Sequence, residues 1–153
     1  MNSLELKVPP VVLVFLAAML MWLISLVAPS FNWRPIHSGL IALIFILAGG
    51  LISALGVLAF RQAKTTVNPT SPETVSLLVV KGIYNLSRNP MYLGFLLTLV
   101  GLALLVENKL SFGVLPAFVA YMNRFQIAPE EKVLSAKFGQ EFGAYMQRVR
   151  RWV

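Results

Sequence analysis

The chain is a succession of long apolar stretches separated by shorter polar segments. Four stretches stand out, at about residues 8–28, 36–60, 91–106 and 110–127. A helix that crosses a hydrocarbon core of roughly 30 Å needs about 20 apolar residues, and the third stretch, at 1.5 Å per residue, covers roughly 24 Å. The pattern predicts an all-α integral membrane fold, a single domain over residues 1–153 with four transmembrane helices.

Two polar segments interrupt this pattern for longer, a central loop at 61–90 and a tail at 128–153. The third and fourth stretches are separated only by Glu107, Asn108 and Lys109, which predicts a tight turn and a helical hairpin. Such a hairpin brings the loop and the tail to the same side. Pro116 lies inside the fourth stretch and predicts a kink there.

The tail has the pattern of an amphipathic helix. Its apolar residues recur at steps of three and four, and charged residues fill much of the remainder. The apolar positions are Val133, Leu134, Phe138, Phe142, Tyr145, Val149 and Trp152. This pattern predicts a C-terminal interfacial helix whose basic face contacts lipid headgroups.

Small residues four positions apart predict where the second stretch contacts a neighbouring helix. The pairs are Gly49 with Ser53 and Gly50 with Ala54. Without large side chains at these positions, two helix backbones can approach closely.

Charge sets the expected orientation. Hydrophobic residues make up 58% of the chain and charged residues 12%, with a net charge of +7. With four spans, eleven of the basic residues fall on one side, and only Arg34 and Lys109 fall on the other. The eleven are Lys7, Arg61, Lys64, Lys81, Arg88, Arg124, Lys132, Lys137, Arg148, Arg150 and Arg151. Positive charge favours the cytoplasm, so both termini are expected there, at the inner membrane if the source is bacterial. The charge is then a partner for anionic lipids rather than nucleic acid.

A signal peptide is the competing interpretation of the first stretch. It is disfavoured because Glu5 and Lys7 nearly cancel and no small-residue cleavage site precedes Pro29.

Several chemistries are excluded by composition. The chain has no cysteine, its six acidic residues are all glutamates, and His37 is its single histidine. A thiol nucleophile and a cysteine-ligated metal are therefore absent, and no metal site is expected. His37 falls on the side opposite the loop and the tail.

The segment Gly82-Ile83-Tyr84-Asn85-Leu86-Ser87-Arg88-Asn89-Pro90-Met91-Tyr92-Leu93-Gly94 resembles the signature of the isoprenylcysteine carboxyl methyltransferase and phospholipid methyltransferase family. The tail matches it too, with Glu130-Glu131, Phe138-Gly139, Tyr145 and Arg151-Trp152. The resemblance covers about residues 66–152. It implies an integral membrane enzyme that uses S-adenosylmethionine in a cytoplasmic pocket and takes a lipophilic acceptor from the bilayer.

The resemblance also implies particular site residues. Expected cofactor contacts are Leu78, Val79, Gly82, Tyr84, Asn89, Pro90, Met91, Tyr92, Glu130 and Glu131, and expected catalytic residues are Arg88, Tyr92 and Arg124. Glu130 offers a charge-assisted hydrogen bond to the ribose or ammonium. Tyr92 is expected to direct its hydroxyl toward the methyl group, and Glu131 to matter less if it faces headgroups.

The methyl acceptor stays open between a prenylcysteine-like carboxylate, a lipid amine and a thiol. Four residues before Glu130, where the resemblance implies an arginine for a substrate carboxylate, this chain has Gln126, with Arg124 two residues earlier. No general base is identified. Two other classes are considered, a membrane reductase that uses NADPH and a small four-span transporter. A transporter usually needs an ionisable residue deep in a span, and the first three stretches have none.

Overall fold

The computed structural model describes residues 5–34, 36–65 and 70–153, so Pro35 and residues 66–69 of the predicted central loop lie outside the described part. The described residues form five α-helices: α1 (Pro10–Val27), α2 (Ser38–Gln62), α3 (Pro90–Val106), α4 (Val114–Tyr121) and α5 (Ala128–Arg148). Short 3₁₀ turns lie at Pro29–Phe31, Pro72–Thr74, Gly82–Asn85 and Lys109–Gly113, and a π-helical segment at Met122–Ile127. Within the described ranges there is no strand, only an isolated bridge between Asn32 and Asn108.

The closest helix pair is α2 with α3, and small residues make the approach possible. A Cβ atom added at Gly49 would collide with the backbone carbonyl of Gly94, and the Ser53 hydroxyl donates to the carbonyl of Met91 at 3.1 Å. The predicted contact at Gly49 and Ser53 is therefore confirmed.

The second predicted pair, Gly50 with Ala54, does not make this contact. Both residues are exposed on the outer face of α2, and nothing lies within 4 Å of a Cβ at Gly50. One residue along a helix turns the side chain by 100°, and α2 is apolar all round, so the pattern cannot distinguish the packed face from its neighbour.

The core lies between α1, α3 and α4, where Met21, Leu99, Ala103 and Met122 are fully buried. The outer faces of α1 and α2 are apolar and exposed, which is the pattern of helices surrounded by lipid. These two helices are long and apolar enough to cross a membrane, and the apolar helix α3 has 17 residues.

The fourth stretch does not kink at Pro116, as the sequence predicted. A 3₁₀ turn occupies Lys109–Gly113, so α4 begins at Val114 and the proline lies in its first turn, where a missing N–H is tolerated. The irregular helix is instead the π-helical segment Met122–Ile127. Segments of this type widen a helix by one residue per turn and often accompany functional sites.

The amphipathic tail helix is present as α5, but the centre of its apolar face is covered by protein rather than lipid. Phe142, Tyr145 and Val149 are buried in a cluster with Leu78 and Val80 of the central loop. The helix bends at Gly139, whose φ of 50° and ψ of −120° suit glycine alone. Periodicity identified this face, but it does not tell whether lipid or the chain itself covers it.

Two ends of the bundle differ in their polar groups. The hairpin end, defined by Asn32, Ser38 and Glu107, is closed by hydrogen bonds from Asn108 to Ala28 and Asn32 and from Ser38 to Glu107. The cavity end is defined by the N-terminus of α3 and the start of α5, where Tyr92 meets Glu130. The predicted hairpin therefore does bring the central loop and the tail together.

Candidate active site

A cavity opens at the cavity end, between the central loop, the start of α3 and α5. The empty space between its lining residues, counted with the open mouth, is about 790 Å³. Its walls are mostly apolar and aromatic. The lining residues are Phe60, Pro72, Val75, Leu78, Val79, Tyr84, Arg88, Asn89, Met91, Tyr92, Glu130, Glu131, Leu134, Phe142 and Tyr145.

Pro90 determines where α3 begins and fixes the backbone of the segment before it, which borders the cavity. Asn89, restricted by the following proline, has a non-helical φ of −128° and ψ of 56°, and the helix starts at Pro90 as predicted. The Asn89 side-chain amide donates to the carbonyl of Arg151 at 2.9 Å, and the backbone N–H of Arg88 donates to the carbonyl of Arg150 at 3.0 Å. The C-terminal residues thus hold the segment before α3 in place.

Glu130 is the acid at the centre of this cavity. Its Oε1 accepts hydrogen bonds from the Tyr92 hydroxyl at 2.8 Å and from Gln126 Nε2 at 3.2 Å, while Oε2 accepts none from the described residues. Burial raises the pKa of Glu130 from an ordinary 4.5 to about 7. The two hydrogen bonds oppose this rise, and the nearby charge of Glu131 adds to it.

Glu131 has a different environment from its neighbour. Its Oε1 accepts from Arg88 Nη2 at 2.7 Å and from Arg151 Nε at 3.1 Å, and its Oε2 accepts from Arg151 Nη2 at 2.5 Å. The side chains of Glu131 and Arg88 are only 17% and 12% exposed. Glu131 was expected to matter less only if it faced headgroups, and that condition is not met, because it joins α5 to the segment before α3 and to the C-terminus.

Two buried polar atoms on the cavity wall lack a hydrogen-bond partner in the described part of the chain, the Tyr84 hydroxyl and Arg88 Nε. Buried polar groups in proteins are nearly always paired, so such atoms point to a ligand. Burial raises the pKa of Tyr84 well above its ordinary value, which keeps the phenol protonated and able to donate. The Tyr145 hydroxyl, by contrast, donates to the Tyr84 carbonyl at 2.7 Å, and burial raises the pKa of Tyr145 to about 12.

Most residues expected in the site do line this cavity: Leu78, Val79, Tyr84, Arg88, Asn89, Met91, Tyr92, Glu130 and Glu131. Pro90 is buried next to it, and Gly82 is exposed at the start of a 3₁₀ turn with a φ of 63°. Arg124, expected to be catalytic, is exposed in the π-helical segment and does not reach the lining.

Two of the expected roles change with this geometry. The guanidinium of Arg88 is engaged by Glu131 and by the Met146 carbonyl, to which Nη1 donates at 3.2 Å, and its Nε has no partner among the described residues. The Tyr92 hydroxyl binds Glu130 rather than pointing freely into the cavity.

Sequence reasoning missed the apolar walls and two supporting residues. The wall residues are Phe60, Pro72, Val75, Leu134 and Phe142. Gln126 is 2% exposed and donates to both the Tyr92 hydroxyl and Glu130, and Arg151 orients Glu131. The spacing of Gln126 and Glu130, one helical turn apart, is the signal that could have predicted their contact. Among the described residues, no three histidine, cysteine or acidic side chains group closely enough to hold a metal ion.

Comparison with known proteins gives matches over most of the chain. The model of the phospholipid methyltransferase family matches residues 38–141. An uncharacterized protein of Haemophilus influenzae is 44% identical over 63 residues, which cover 41% of this chain and all of that relative.

Two of the named relatives are plant proteins. A probable protein-S-isoprenylcysteine O-methyltransferase of Oryza sativa subsp. indica is 33% identical over 112 residues, 71% of this chain and 57% of that relative. Protein-S-isoprenylcysteine O-methyltransferase B of Arabidopsis thaliana is 30% identical over 110 residues, 70% of this chain and 54% of that relative. The chain thus spans about half the length of these two relatives. No solved structure matches the chain.

Proposed function

The chain belongs to the phospholipid methyltransferase family, and on this premise we propose that it is a membrane enzyme that methylates a lipophilic acceptor with S-adenosylmethionine as methyl donor. The observation that carries the proposal is the carboxylate of Glu130, one oxygen of which has no partner among the described residues, in the wall of a largely apolar cavity next to the membrane helices. Relatives named as O-methyltransferases support the same reaction class.

The residues of this cavity fit the donor by charge and shape. S-adenosylmethionine has a sulfonium cation, an amino-acid head and an adenosine, and it supplies an activated methyl group when bound. Oε2 of Glu130 is a free acceptor for a cationic or hydroxyl group, and Arg88 Nε is a free donor for a carboxylate. Phe60, Phe142 and Tyr145 offer apolar and aromatic surface to a flat heterocycle.

Methyl transfer of this kind is an in-line displacement at carbon, which depends on alignment and on exclusion of water more than on acid–base groups. Tyr92 and Gln126 hold the Glu130 carboxylate in one orientation, and the Glu131 ion pairs fix α5 against the segment before α3. The apolar residues Val75, Leu78 and Leu134 keep water from the reacting atoms.

We further propose that the cavity end lies at the cytoplasmic face of a multi-pass membrane protein, with both termini on that side, at the inner membrane in a bacterium. The basic residues counted on that side support this orientation and would interact with anionic headgroups. The acceptor would enter from the bilayer, because the cavity is bounded by α2 at Phe60 and by the start of α3 at Met91. Reporter fusions after Val153 and at Lys109 test the topology, which requires them on opposite sides.

Ligand titration of the detergent-purified protein tests the proposed function. Isothermal titration with S-adenosylmethionine should give saturable binding with a stoichiometry of one. Titration with NADPH should give none, whereas NADPH binding without S-adenosylmethionine binding would favour the membrane reductase. Binding of neither nucleotide would leave a non-enzymatic transporter as the better interpretation and would overturn the proposal.

A further inference from the structure

Helices α2 and α3 approach closely at several glycines, and the contact at Gly56 differs from the others. A Cβ atom added at Gly49, Gly94 or Gly101 would lie less than 3.0 Å from backbone atoms of the facing helix. At Gly56 the nearest described backbone atom, Met91 N, would be 3.5 Å away, which is an ordinary contact. The collision there is with the Met91 side chain, whose Cγ would be only 2.6 Å away. A methyl group at Gly56 would therefore displace a side chain rather than separate the helices.

The backbone of Met91 is held in place, whereas its side chain can adjust. The Met91 carbonyl accepts the Ser53 hydroxyl at 3.1 Å, and the buried Pro90 before it begins α3. The Met91 side chain is only partly buried. Methionine is unbranched, with three rotatable bonds, and it adapts to irregular gaps. The Met91 side chain is therefore the part of this contact that yields.

Met91 lies between Gly56 and the cavity. Gly56 is buried against the Met91 side chain, and Met91 itself is a lining residue of the cavity. Phe60, one helical turn beyond Gly56 on the same face of α2, lines the cavity as well. Carbon atoms pack at about 3.5–4.0 Å, so a Cβ at residue 56 would move Met91 Cγ by roughly 1 Å. The displaced side chain would narrow the cavity on the side that Phe60 and Met91 form.

From these contacts we infer that Gly56 is a positioning residue that acts through Met91 and determines how wide an apolar chain the cavity admits. A methyl-branched chain is wider than a linear chain by one methyl group, and a packed site is sensitive to a change of that size. A wall moved inward by Gly56→Ala would therefore exclude the branched chain first. The inference rests on the proposed function, in which the chain of a lipophilic acceptor lies in this cavity, and it adds a residue that sets acceptor specificity.

Two long-chain alcohols test the inference without any assumption about the acceptor group: hexadecanol, and phytanol, whose chain has the same length but carries methyl branches. The rise of the unfolding temperature as each alcohol is added in one detergent gives an apparent affinity. We expect Gly56→Ala to lower the affinity ratio of phytanol to hexadecanol by about tenfold or more, the scale of one extra methyl group in a hydrophobic pocket.

Gly50→Ala is the matched control. Gly50 lies on the same helix, is exposed on its outer face, and has nothing within 4 Å of an added Cβ. The substitution changes helix propensity equally, and the affinity ratio should stay as in the natural chain. An equal ratio in Gly56→Ala and Gly50→Ala would overturn the inference, and so would a natural chain that binds neither alcohol.

A double variant tests whether Gly56 acts through Met91. In Met91→Ala the colliding atom is gone, and a Cβ at residue 56 meets Met91 N at 3.5 Å and Pro90 Cγ at 3.6 Å. Adding Gly56→Ala to Met91→Ala should therefore leave the ratio unchanged, whereas an equal fall in both backgrounds would contradict the inference. Met91→Ala alone should raise the ratio, and it decides the question if Gly56→Ala does not fold, because an unchanged ratio there would also contradict it.

A spectroscopic measurement follows the displacement itself. The chain has six methionines, which can be isotope-labelled at the ε-methyl group for nuclear magnetic resonance in detergent. The Met91 signal is the one that Met91→Ala removes. Gly56→Ala should move this signal and Gly50→Ala should not. A Met91 signal that stays in place in Gly56→Ala would overturn the inference.

Donor titration on the same preparations separates failure of the inference from failure of the proposed function. Protein that binds S-adenosylmethionine but has the same alcohol ratio in every variant overturns the role of Gly56 and leaves the proposed function intact. Protein that binds no S-adenosylmethionine overturns the proposed function, and the role of Gly56 in acceptor specificity with it.

Discussion

The two ends of the bundle each contain a central polar residue, and they differ in what it has left to bind. At the hairpin end, Asn108 is fully buried; its amide nitrogen donates to Ala28 and Asn32, and its oxygen accepts from the backbone of Leu110. At the cavity end, Glu130 is partly exposed and keeps Oε2 without a partner in the described chain. The hairpin end therefore has a neutral amide with all its hydrogen bonds made, whereas the cavity end has an acid with one oxygen facing the cavity.

This difference indicates that the hairpin end contributes mainly to stability and the cavity end to function. A satisfied buried amide contributes to the free energy of folding and has nothing to offer a ligand. A buried carboxylate with a raised pKa is costly to keep in the folded protein, and such groups concentrate at functional sites. Within the described part, Trp33 Nε1 at the hairpin end is also buried without a partner, but its ring packs edge-on against Phe112 and beneath Lys109.

Breaking the ion cluster at Glu131 should have the largest effect on stability. Glu131→Gln leaves Arg88 and Arg151 without a counter-ion, and loss of one partner of a buried ion pair costs about 3–5 kcal/mol. The matched control is Glu107→Gln at the hairpin end, because its ion-pair partner Arg34 is 93% exposed and such a pair is worth about 0–1 kcal/mol, while a glutamine oxygen still accepts from Ser38. Thermal unfolding in detergent measures both, and equal losses would show that the cluster at Glu131 contributes no more than a surface pair.

Breaking the hairpin end should lower stability without touching the ligand. Asn108→Ala removes the partner of three polar groups, and each buried group left unsatisfied costs about 1–3 kcal/mol. We expect a lower unfolding temperature and unchanged affinity for S-adenosylmethionine by titration at a temperature where the variant is folded. A loss of affinity there would mean that the two ends are coupled through α3 and α4.

The sequence predicts the bounds of the helices well, but it does not predict which face of a helix is packed. Long apolar stretches predict α1, α2 and α3 to within a few residues, and Pro90 fixes the start of α3. The outcome for Gly50 and Ala54 shows the limit, because a helix that is apolar all round gives no periodic signal for its packed face.

The same limit applies to the candidate site, where the sequence does not predict the direction of individual side chains. Glu130 and Glu131 are adjacent, so they point about 100° apart on α5, and the sequence does not say which of them meets the arginines. The partner that decides this, Arg151, is 20 residues away in the chain and reaches Glu131 only because α5 bends at Gly139 and the C-terminus returns to Arg88. Contacts of this kind depend on tertiary structure that periodicity does not encode.

Glu130→Gln tests whether the cavity end contributes to ligand binding rather than to stability. Loss of a charged hydrogen-bond partner should weaken S-adenosylmethionine binding by about 1–3 kcal/mol, or roughly 5- to 150-fold. Stability should not fall at pH 8, because the variant removes a buried charge whose ionisation is unfavourable. Titration and thermal unfolding test the two halves, with Glu141→Gln, an exposed residue of the same helix, as the control.

The pH dependence of donor affinity follows from the same residue. The groups around Glu130 are Tyr92, Gln126, Tyr84 and Glu131, and burial raises its pKa to about 7, so the ionised form that attracts a cation predominates only above that pH. Affinity should rise with pH through about 7 and fall below it by at most about tenfold per pH unit. Because the folded pKa exceeds the ordinary value, the stability of the ligand-free protein should fall as pH rises from about 4.5 to 7. Titrations from pH 6 to 8 should show the affinity trend, and Glu130→Gln should abolish it.

Tyr92→Phe should have the smallest effect, and it distinguishes a group that orients Glu130 from one that acts on the methyl group directly. The variant removes the 2.8 Å hydrogen bond to Glu130 Oε1 but keeps the ring packed in the core, and Gln126 still donates to the same oxygen. A hydrogen bond of this kind contributes about 0.5–1.5 kcal/mol, so donor affinity should fall by roughly 2- to 12-fold, with turnover at saturating donor nearly unchanged. A loss of turnover with affinity preserved would instead place the hydroxyl at the reacting atoms. Loss of affinity is the outcome that the geometry requires, because the hydroxyl reaches the ligand only through the carboxylate that it holds.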